Sequence, residues 1–232
     1  MFNIKSISGN PMDFRIKAKT STKAEMFMYG DVSEYDISAN AVALAMKDLD
    51  SKINEIDIRL MSGGGDVFQG IAIYNILKRS EKKINIYIDG LAGSIASIIM
   101  LAGDEVIIGE GSQVFIHKPW AFKAGNSNEL QEMIDQLDRV ENEMLKIYSS
   151  KMSVTNTQII KMMSDETWFN DDEAIEFGLV DRKIAASTDM NIAAAVRNCD
   201  WVKKKELAKA NLEFKNKIQD NINKFDDVLA RK

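Results

Sequence analysis

Two side chains of this sequence have the types and the setting for acyl-transfer chemistry. Ser94 ends the run Gly90-Leu-Ala-Gly-Ser94, directly after the alternating apolar stretch Ile84-Asn-Ile-Tyr-Ile88 and ahead of Ile95-Ala-Ser97. A serine on a small-residue turn between a strand and a helix faces unpaired helix amides and a partial positive charge, which favour a developing oxyanion. The single histidine, His117, closes a second apolar stretch in Val114-Phe-Ile-His117-Lys-Pro119. A serine hydroxyl is a weak nucleophile until a neighbouring base takes its proton, and an imidazole is the usual base. Each residue has a plainer explanation when taken alone: a serine at a strand-to-helix junction is most often an N-cap, and a lone histidine beside a proline is most often structural. The triple glycine Gly63-Gly-Gly65, after the stretch Ile56-Asp-Ile-Arg-Leu60, is open to two readings, a phosphate cradle or backbone amides held open beside a substrate. Neither Gly-Lys-Ser/Thr nor Gly-x-Gly-x-x-Gly occurs, which leaves exposed amides without phosphate.

Composition narrows the classes. The 232 residues are 45% hydrophobic and 28% charged, ordinary for a globular chain with a sizeable core. A net charge of −5 gives no footprint for nucleic-acid binding. One cysteine, Cys199, excludes an internal disulfide and a cysteine-clustered zinc site, and one histidine excludes a histidine-rich metal centre. No metal and no cofactor are expected. Met1-Phe-Asn-Ile-Lys-Ser lacks the pattern of a secretory leader, and the apolar run from Leu91 to Ala102 is too short to span a bilayer. The expectation is a cytoplasmic protein that meets no membrane.

The elements that must position these residues follow from periodicity. Met26-Phe-Met-Tyr-Gly30 reads as a strand into a turn, and Ser38 caps a helix through Leu49. Ile56–Leu60 alternates as a half-buried strand, and Ile71, Ile73, Tyr74, Ile76 and Leu77 fall at helical spacing. A strand at Ile84, the Ser94 turn, a helix from Ile95 to Leu101, and strands at Val106–Ile108 and Val114–Ile116 complete a β-α repeat with right-handed crossovers. Both functional turns lie at carboxyl ends of strands, where open α/β sheets hold ligands. Further on, Asn126-Ser-Asn128 caps a long helix striped by Leu130, Met133, Ile134, Leu137, Val140, Met144, Ile147 and Tyr148. Helices follow over Asn156–Met163 and from Asn170 to a stop at Gly178. From Trp201 onward nine basic residues face five acidic ones, and Leu207, Phe214, Ile218, Phe225 and Leu229 outline an amphipathic helix outside the main fold.

In this order, Ser62-Gly-Gly-Gly65, Gly90-Leu-Ala-Gly-Ser94, Phe115-Ile-His117-Lys-Pro119 and Glu173-Ala-Ile-Glu-Phe-Gly178-Leu-Val-Asp181 resemble the proteolytic subunit of the Clp protease. Gly65-Asp-Val-Phe-Gln-Gly-Ile-Ala-Ile-Tyr-Asn75, Ala102-Gly-Asp-Glu-Val106, the Lys-Pro-Trp120 ending and Glu166-Thr-Trp168 are closest to its phage and prophage branch, the head maturation proteases. The resemblance covers residues 25 to 185 or so. It implies an α/β fold, a ClpP/crotonase-like spiral of β-β-α units with a projecting handle helix. The implied organisation is an N-terminal segment over 1–24, a protease domain over 25–188 and a helical extension over 189–232.

By position, the resemblance makes Ser94 the nucleophile and His117 the base. The acid lands on Glu166, with Asp165 as the alternative, since two neighbours on an extended segment point opposite ways. Gly65 and Ile95 become the oxyanion-hole residues, with Gly64, Trp120 and Phe122 binding substrate. Residues 120–125 match the strand along which the family aligns peptides, so the substrate class is polypeptide. The family's Ser-Pro-Gly-Gly loop appears here without its proline, which predicts a more flexible loop. A homo-oligomeric ring is implied, with phage capsid, scaffold or portal proteins as partners, and a location in the bacterial cytoplasm or inside procapsids. The rival readings are a crotonase-type acyl-CoA enzyme, a general ClpP-like peptidase working with an ATPase, and a non-catalytic shell or scaffold homologue.

Overall fold

The computed structural model describes residues 15–185. The amphipathic extension expected over 189–232 lies outside the described residues. The chain runs β1 (Arg15–Ala18), β2 (Lys23–Tyr29), α1 (Ala39–Asp48), β3 (Glu55–Ser62), α2 (Val67–Lys78), β4 (Lys83–Gly93), α3 (Ile95–Met100), β5 (Glu105–Gly109), β6 (Gln113–Ile116), α4 (Ser127–Ser149), α5 (Asn156–Ser164), β7 (Thr167–Phe169), α6 (Asp171–Glu176) and β8 (Arg182–Ile184). The main sheet has the order β1-β2-β3-β4-β5-β8, parallel throughout except for β1, which pairs antiparallel with β2 at the edge. This is the mixed α/β architecture that the strand-helix alternation predicts. The sheet takes in residues from Arg15 onward, inside the stretch expected to be an N-terminal segment.

One sheet face is apolar and sealed. Met26, Met28, Ile56, Ile58, Leu60, Ile84, Ile86, Ile88, Val106 and Ile108 are all buried in one core with Ile73 and Leu77 of α2. The opposite face of β2, β3 and β4 carries paired charge. Parallel register sets Glu25, Asp57 and Asn85 in one row and Phe27, Arg59 and Tyr87 in the next. Lys23 Nζ lies 2.8 Å from Asp57 Oδ1, and Lys19 Nζ lies 3.3 Å from Asp57 Oδ2. Farther along, Arg59 Nε donates to Asp89 Oδ2 at 2.6 Å, and Tyr29 Oη donates to the same oxygen at 2.5 Å. Burial pushes the Asp89 carboxyl upward, while Tyr29 and Arg59 pull against that shift.

Two sequence expectations change here. Ile56–Leu60 reads as half-buried, yet β3 lies between two parallel neighbours and even Asp57 is only 1% exposed. Asp57 meets flanking lysines and Asn85, and Arg59 meets Asp89, so alternation marks pairing here and not exposure. Secondly, Gly90–Gly93 is strand and not turn. Two steps along β3, Leu60 to Ser62, match four along β4, Ile88 to Ala92, so the irregularity sits inside the ladder. Glycine in that run suits a strand that must shift register rather than reverse direction.

β4 is the pivot of the fold. Its first half, Asn85–Ile88, pairs with β5, and its last residues, Leu91–Gly93, pair with β6. α3 follows at once, and all six of its residues are buried. So short a helix is unstable alone and depends on packing. α2 crosses it at Gly70, where an added Cβ would lie 2.2 Å from Ile95 Cγ1. Gly70→Ala is therefore expected to destabilise the protein by about 1–3 kcal/mol through overpacking. Thermal unfolding checks this, and an unchanged midpoint would contradict the crossing geometry.

Candidate active site

Ser94 is the residue between β4 and α3, with φ 54° and ψ −127°. Among the described residues, only Ser94 and Glu166 have positive φ without being glycine. Such backbone costs about 1–3 kcal/mol and persists only where the surroundings over-determine it. The surroundings are visible. Ser94 N donates to Phe115 O at 2.8 Å, prolonging the β4–β6 ladder. Ser94 O accepts from Ser97 N at 3.0 Å and from Ser97 Oγ at 2.5 Å. Ser97 Oγ also lies 2.6 Å from Tyr148 Oη. With its single proton committed to Ser94 O, the serine accepts and the tyrosine donates. Tyr148 is wholly buried on α4, so this long helix is tied to the backbone of Ser94.

His117 follows β6 directly, and the β4–β6 pairing carries it to Ser94. Gly93 is opposite Phe115, and His117 Nε2 lies 2.6 Å from Ser94 Oγ. Burial pushes the imidazole below its usual value of 6.5, while the Glu166 charge and hydrogen bonding to the Lys118 backbone pull it back up. A neutral imidazole beside a hydroxyl can accept its proton as the oxygen attacks a carbonyl. The ring is also stacked. Phe115 lies 5.2 Å from it at 14°, and Trp168 lies 4.4 Å from Phe115 at 27°.

The two candidate acids separate clearly. Asp165 caps the end of α5 and pairs with Lys161, not with the imidazole. Glu166 lies in a turn with φ 53°, and its charge reaches His117. Among the described residues no hydrogen bond joins Glu166 to the ring. The expected extended segment, with alternate side chains on opposite sides, is thus a helix end followed by a left-handed residue.

The glycine loop lies against this pair. A Cβ on Gly64 would fall 2.6 Å from Ser94 Cβ and 2.7 Å from Gly93 O, so only glycine permits the approach. The loop predicted to be flexible is tied at three points. Val32 N donates to Gly64 O at 2.9 Å, Asp66 N to Val32 O at 2.7 Å, and Gly64 N to Ser62 Oγ at 3.1 Å. These bonds use the Gly64 carbonyl and the Asp66 amide, not the Gly65 amide. Ile95 opens α3, where a helix leaves its first amides without intrahelical acceptors.

Trp120 and Phe122 are 76% and 91% exposed. Residues 117–126 form no ladder, so the peptide-aligning strand implied by the resemblance is not formed here. All six positions from 121 to 126 are exposed, and no strand of the described residues pairs with them. Among the described residues, no group of three or more His, Cys, Asp or Glu is placed to hold a metal ion. Sequence reasoning missed the Phe115–Trp168 stack and the Tyr148–Ser97 tie. The first rests on β7, three residues long and without readable periodicity. The second joins two helices far apart in sequence.

The burial of His117 gives a pH prediction. With one histidine in the chain, its NMR titration is unambiguous and should have a midpoint below 6.5. Glu166→Gln should lower it further, because the lost negative charge stabilised the imidazolium. Asp165→Asn should move it much less. A midpoint above 6.5, or a larger shift from Asp165→Asn, would contradict this electrostatic picture.

Comparison with known proteins places the chain. The Clp protease family model matches residues 9–187. The chain is 29% identical over 151 residues to an ATP-dependent Clp protease proteolytic subunit of Porphyromonas gingivalis, covering 63% of this chain and 68% of that protein. It is 25% identical over 150 residues to the subunit of the same name from Deinococcus radiodurans, covering 63% and 74%. A third such subunit, from Pleurastrum terricola, is 25% identical over 154 residues, covering 66% and 79%. No helix among the described residues is long and apolar enough to cross a membrane. With its mixed parallel sheet and a family match over most of its length, the chain belongs to the Clp protease family.

Proposed function

We propose that the protein is a serine endopeptidase in which Ser94 attacks the peptide carbonyl. The 2.6 Å contact between a serine held at positive φ and the single histidine carries this reading. His117 accepts the Ser94 proton as the Oγ–carbon bond forms, then passes it to the leaving amine as the carbon–nitrogen bond breaks. Water, deprotonated by the same imidazole, releases the acyl group. Glu166 stabilises the imidazolium through its charge, and the Gly65 and Ile95 amides receive the oxyanion. Gly64, Trp120 and Phe122 are assigned to substrate binding.

The residue pair favours this reading over an acyl-CoA enzyme, which needs the oxyanion site but neither a serine nor an imidazole. It also disfavours a non-catalytic shell protein, for which the strained Ser94 backbone has no use. Unfolded polypeptide is the substrate class. The relatives' names add ATP dependence, which would bring an ATPase partner, whereas the Glu166-Thr-Trp168 and Lys-Pro-Trp120 segments resemble the head maturation branch and favour capsid or scaffold protein. Digestion of casein with and without an unfoldase, beside purified capsid protein, separates these substrates.

A fluorophosphonate should label Ser94 in the native protein, with the adduct located by mass spectrometry. Ser94→Ala should lose about six orders of magnitude in turnover, as in other triad knockouts. Ser97→Ala should cost about tenfold at most, since one of the two hydrogen bonds to Ser94 O remains. An adduct on Ser97, or an active Ser94→Ala, would overturn the assignment.

Assembly follows from α4. A capping box of Asn126 and Glu129 starts it, and only Met144 and Tyr148 of its apolar stripe are buried. Leu130 and Ile134 stand 41% and 51% exposed on its outer half. We assign this half to contacts between subunits of a closed homo-oligomeric ring, where adaptable methionines such as Met133 suit an irregular partner surface. Ile134→Asp should lower the particle mass in light scattering while leaving each chain folded. An active 26.0 kDa monomer in the native protein would contradict the assembly.

A further inference from the structure

In a serine–imidazole pair something must fix the plane of the imidazole, because rotation about its side-chain bonds swings the basic nitrogen away from the hydroxyl. A carboxylate hydrogen-bonded to the second ring nitrogen is one device for this. Here no such bond exists among the described residues. Glu166 acts on the ring through charge, which sets no plane, so what bears on the plane here is hydrogen bonding to the Lys118 backbone and the rings packed beside the imidazole.

Two stacked ring contacts, linked through Phe115, lie beside the imidazole. Phe115 and His117 are two apart along one strand direction, so their side chains share a face. The ring centroids are 5.2 Å apart with planes 14° from parallel. Trp168 is the antiparallel partner of Phe115 in the β6–β7 register, and its ring stacks on Phe115 at 4.4 Å and 27°. Centroid separations in this range are those at which aromatic pairs attract beyond simple burial. β7 also begins just after Glu166, so one three-residue strand delivers both the charge and the outer ring.

We infer that the Phe115–Trp168 stack positions the His117 imidazole, holding its plane so that Nε2 faces Ser94 Oγ. Phe115 and Trp168 are positioning residues, since neither touches the reacting atoms. The inference rests on the proposed hydrolase reading for its consequence in turnover, but the ring's orientation and titration can be read without any substrate. Trp168 is 52% exposed, so shortening it opens no core cavity and its role in positioning separates from a role in folding.

The test uses full-length protein with isotopically labelled histidine. Trp168→Ala should broaden or shift the His117 ring signals and move its titration up toward 6.5 as one side of the stack opens to water. In peptide hydrolysis, kcat should fall about ten- to a hundredfold with KM nearly unchanged, the cost of a misplaced reacting group. Trp168→Phe, which keeps a stacking ring, should restore most of both. Phe115→Leu, which keeps apolar bulk without a ring, should behave like Trp168→Ala. An unchanged His117 titration in Trp168→Ala would overturn the inference. So would a rise in KM at constant kcat, which would make Trp168 a substrate contact. Failure of native Ser94 to take a fluorophosphonate would refute the hydrolase reading, and the titrations would still decide the positioning role.

Discussion

The structure depends on the backbone at Ser94 being held where an L-residue is reluctant to go. The tension comes from two neighbouring demands. β4 must finish its ladder with β6 at Gly93, and α3 must start at Ile95 to bury every one of its residues. A junction of one residue leaves no room for a relaxed turn. The positive φ is held by a bond from Ser94 N to Phe115 O, by two bonds to Ser94 O, and by Gly64 packed against its Cβ. Strain of this kind projects a side chain outward while its backbone stays in the core. Ser94 is half-exposed, with buried Gly93 before it and buried Ile95 after it.

From that junction the other parts of the site follow by pairing rules. The splitting of β4 between β5 and β6 is what brings His117 within 2.6 Å of Ser94. β7 then adds to β6 and brings Trp168 and the neighbouring Glu166. The glycine loop arrives from β3, whose register shift against β4 sets Ser62 opposite Ala92, just before the junction. Parallel β3, β4 and β6 end on that edge, where α/β folds place their chemistry, and antiparallel β7 begins there.

Electrostatics divides the sheet in a similar way. The face under the helices is purely apolar, and the charged groups lie on the other face in pairs. Asp57 and Asp89 are nearly fully buried, and each is met by a cation from a neighbouring strand. Breaking one partner of such a pair costs far more than the pair contributes, because the remaining charge is stranded away from water. Those pairs therefore hold the parallel register specifically. Slipping β3 by one residue would put Arg59 and Asp57 into the apolar core.

Local chemistry settled much of this protein in advance. The N-caps at Ser38 and Asn126, the stop at Gly178, the helical spacing in α2 and α4, and the strand at Ile84 are all short-range patterns, and residue order alone can carry them. The serine, the histidine and the glycine loop could be singled out as candidates because few residue types suit acyl transfer and their order along the chain is distinctive, and the fold brings them together. Three things were decided only by the tertiary structure. Gly90–Gly93 became strand because β6 was there to pair with it, although small residues by themselves suggest a turn. Asp165 and Glu166 part at the end of α5, where Asp165 meets Lys161 and Glu166 takes a left-handed backbone, and not by strand alternation. The Phe115–Trp168 stack and the Tyr148–Ser97 tie join residues about fifty apart. A pattern in sequence reports what neighbours along the chain prefer; contacts across such separations exist only once sheet order and register have brought their backbones together.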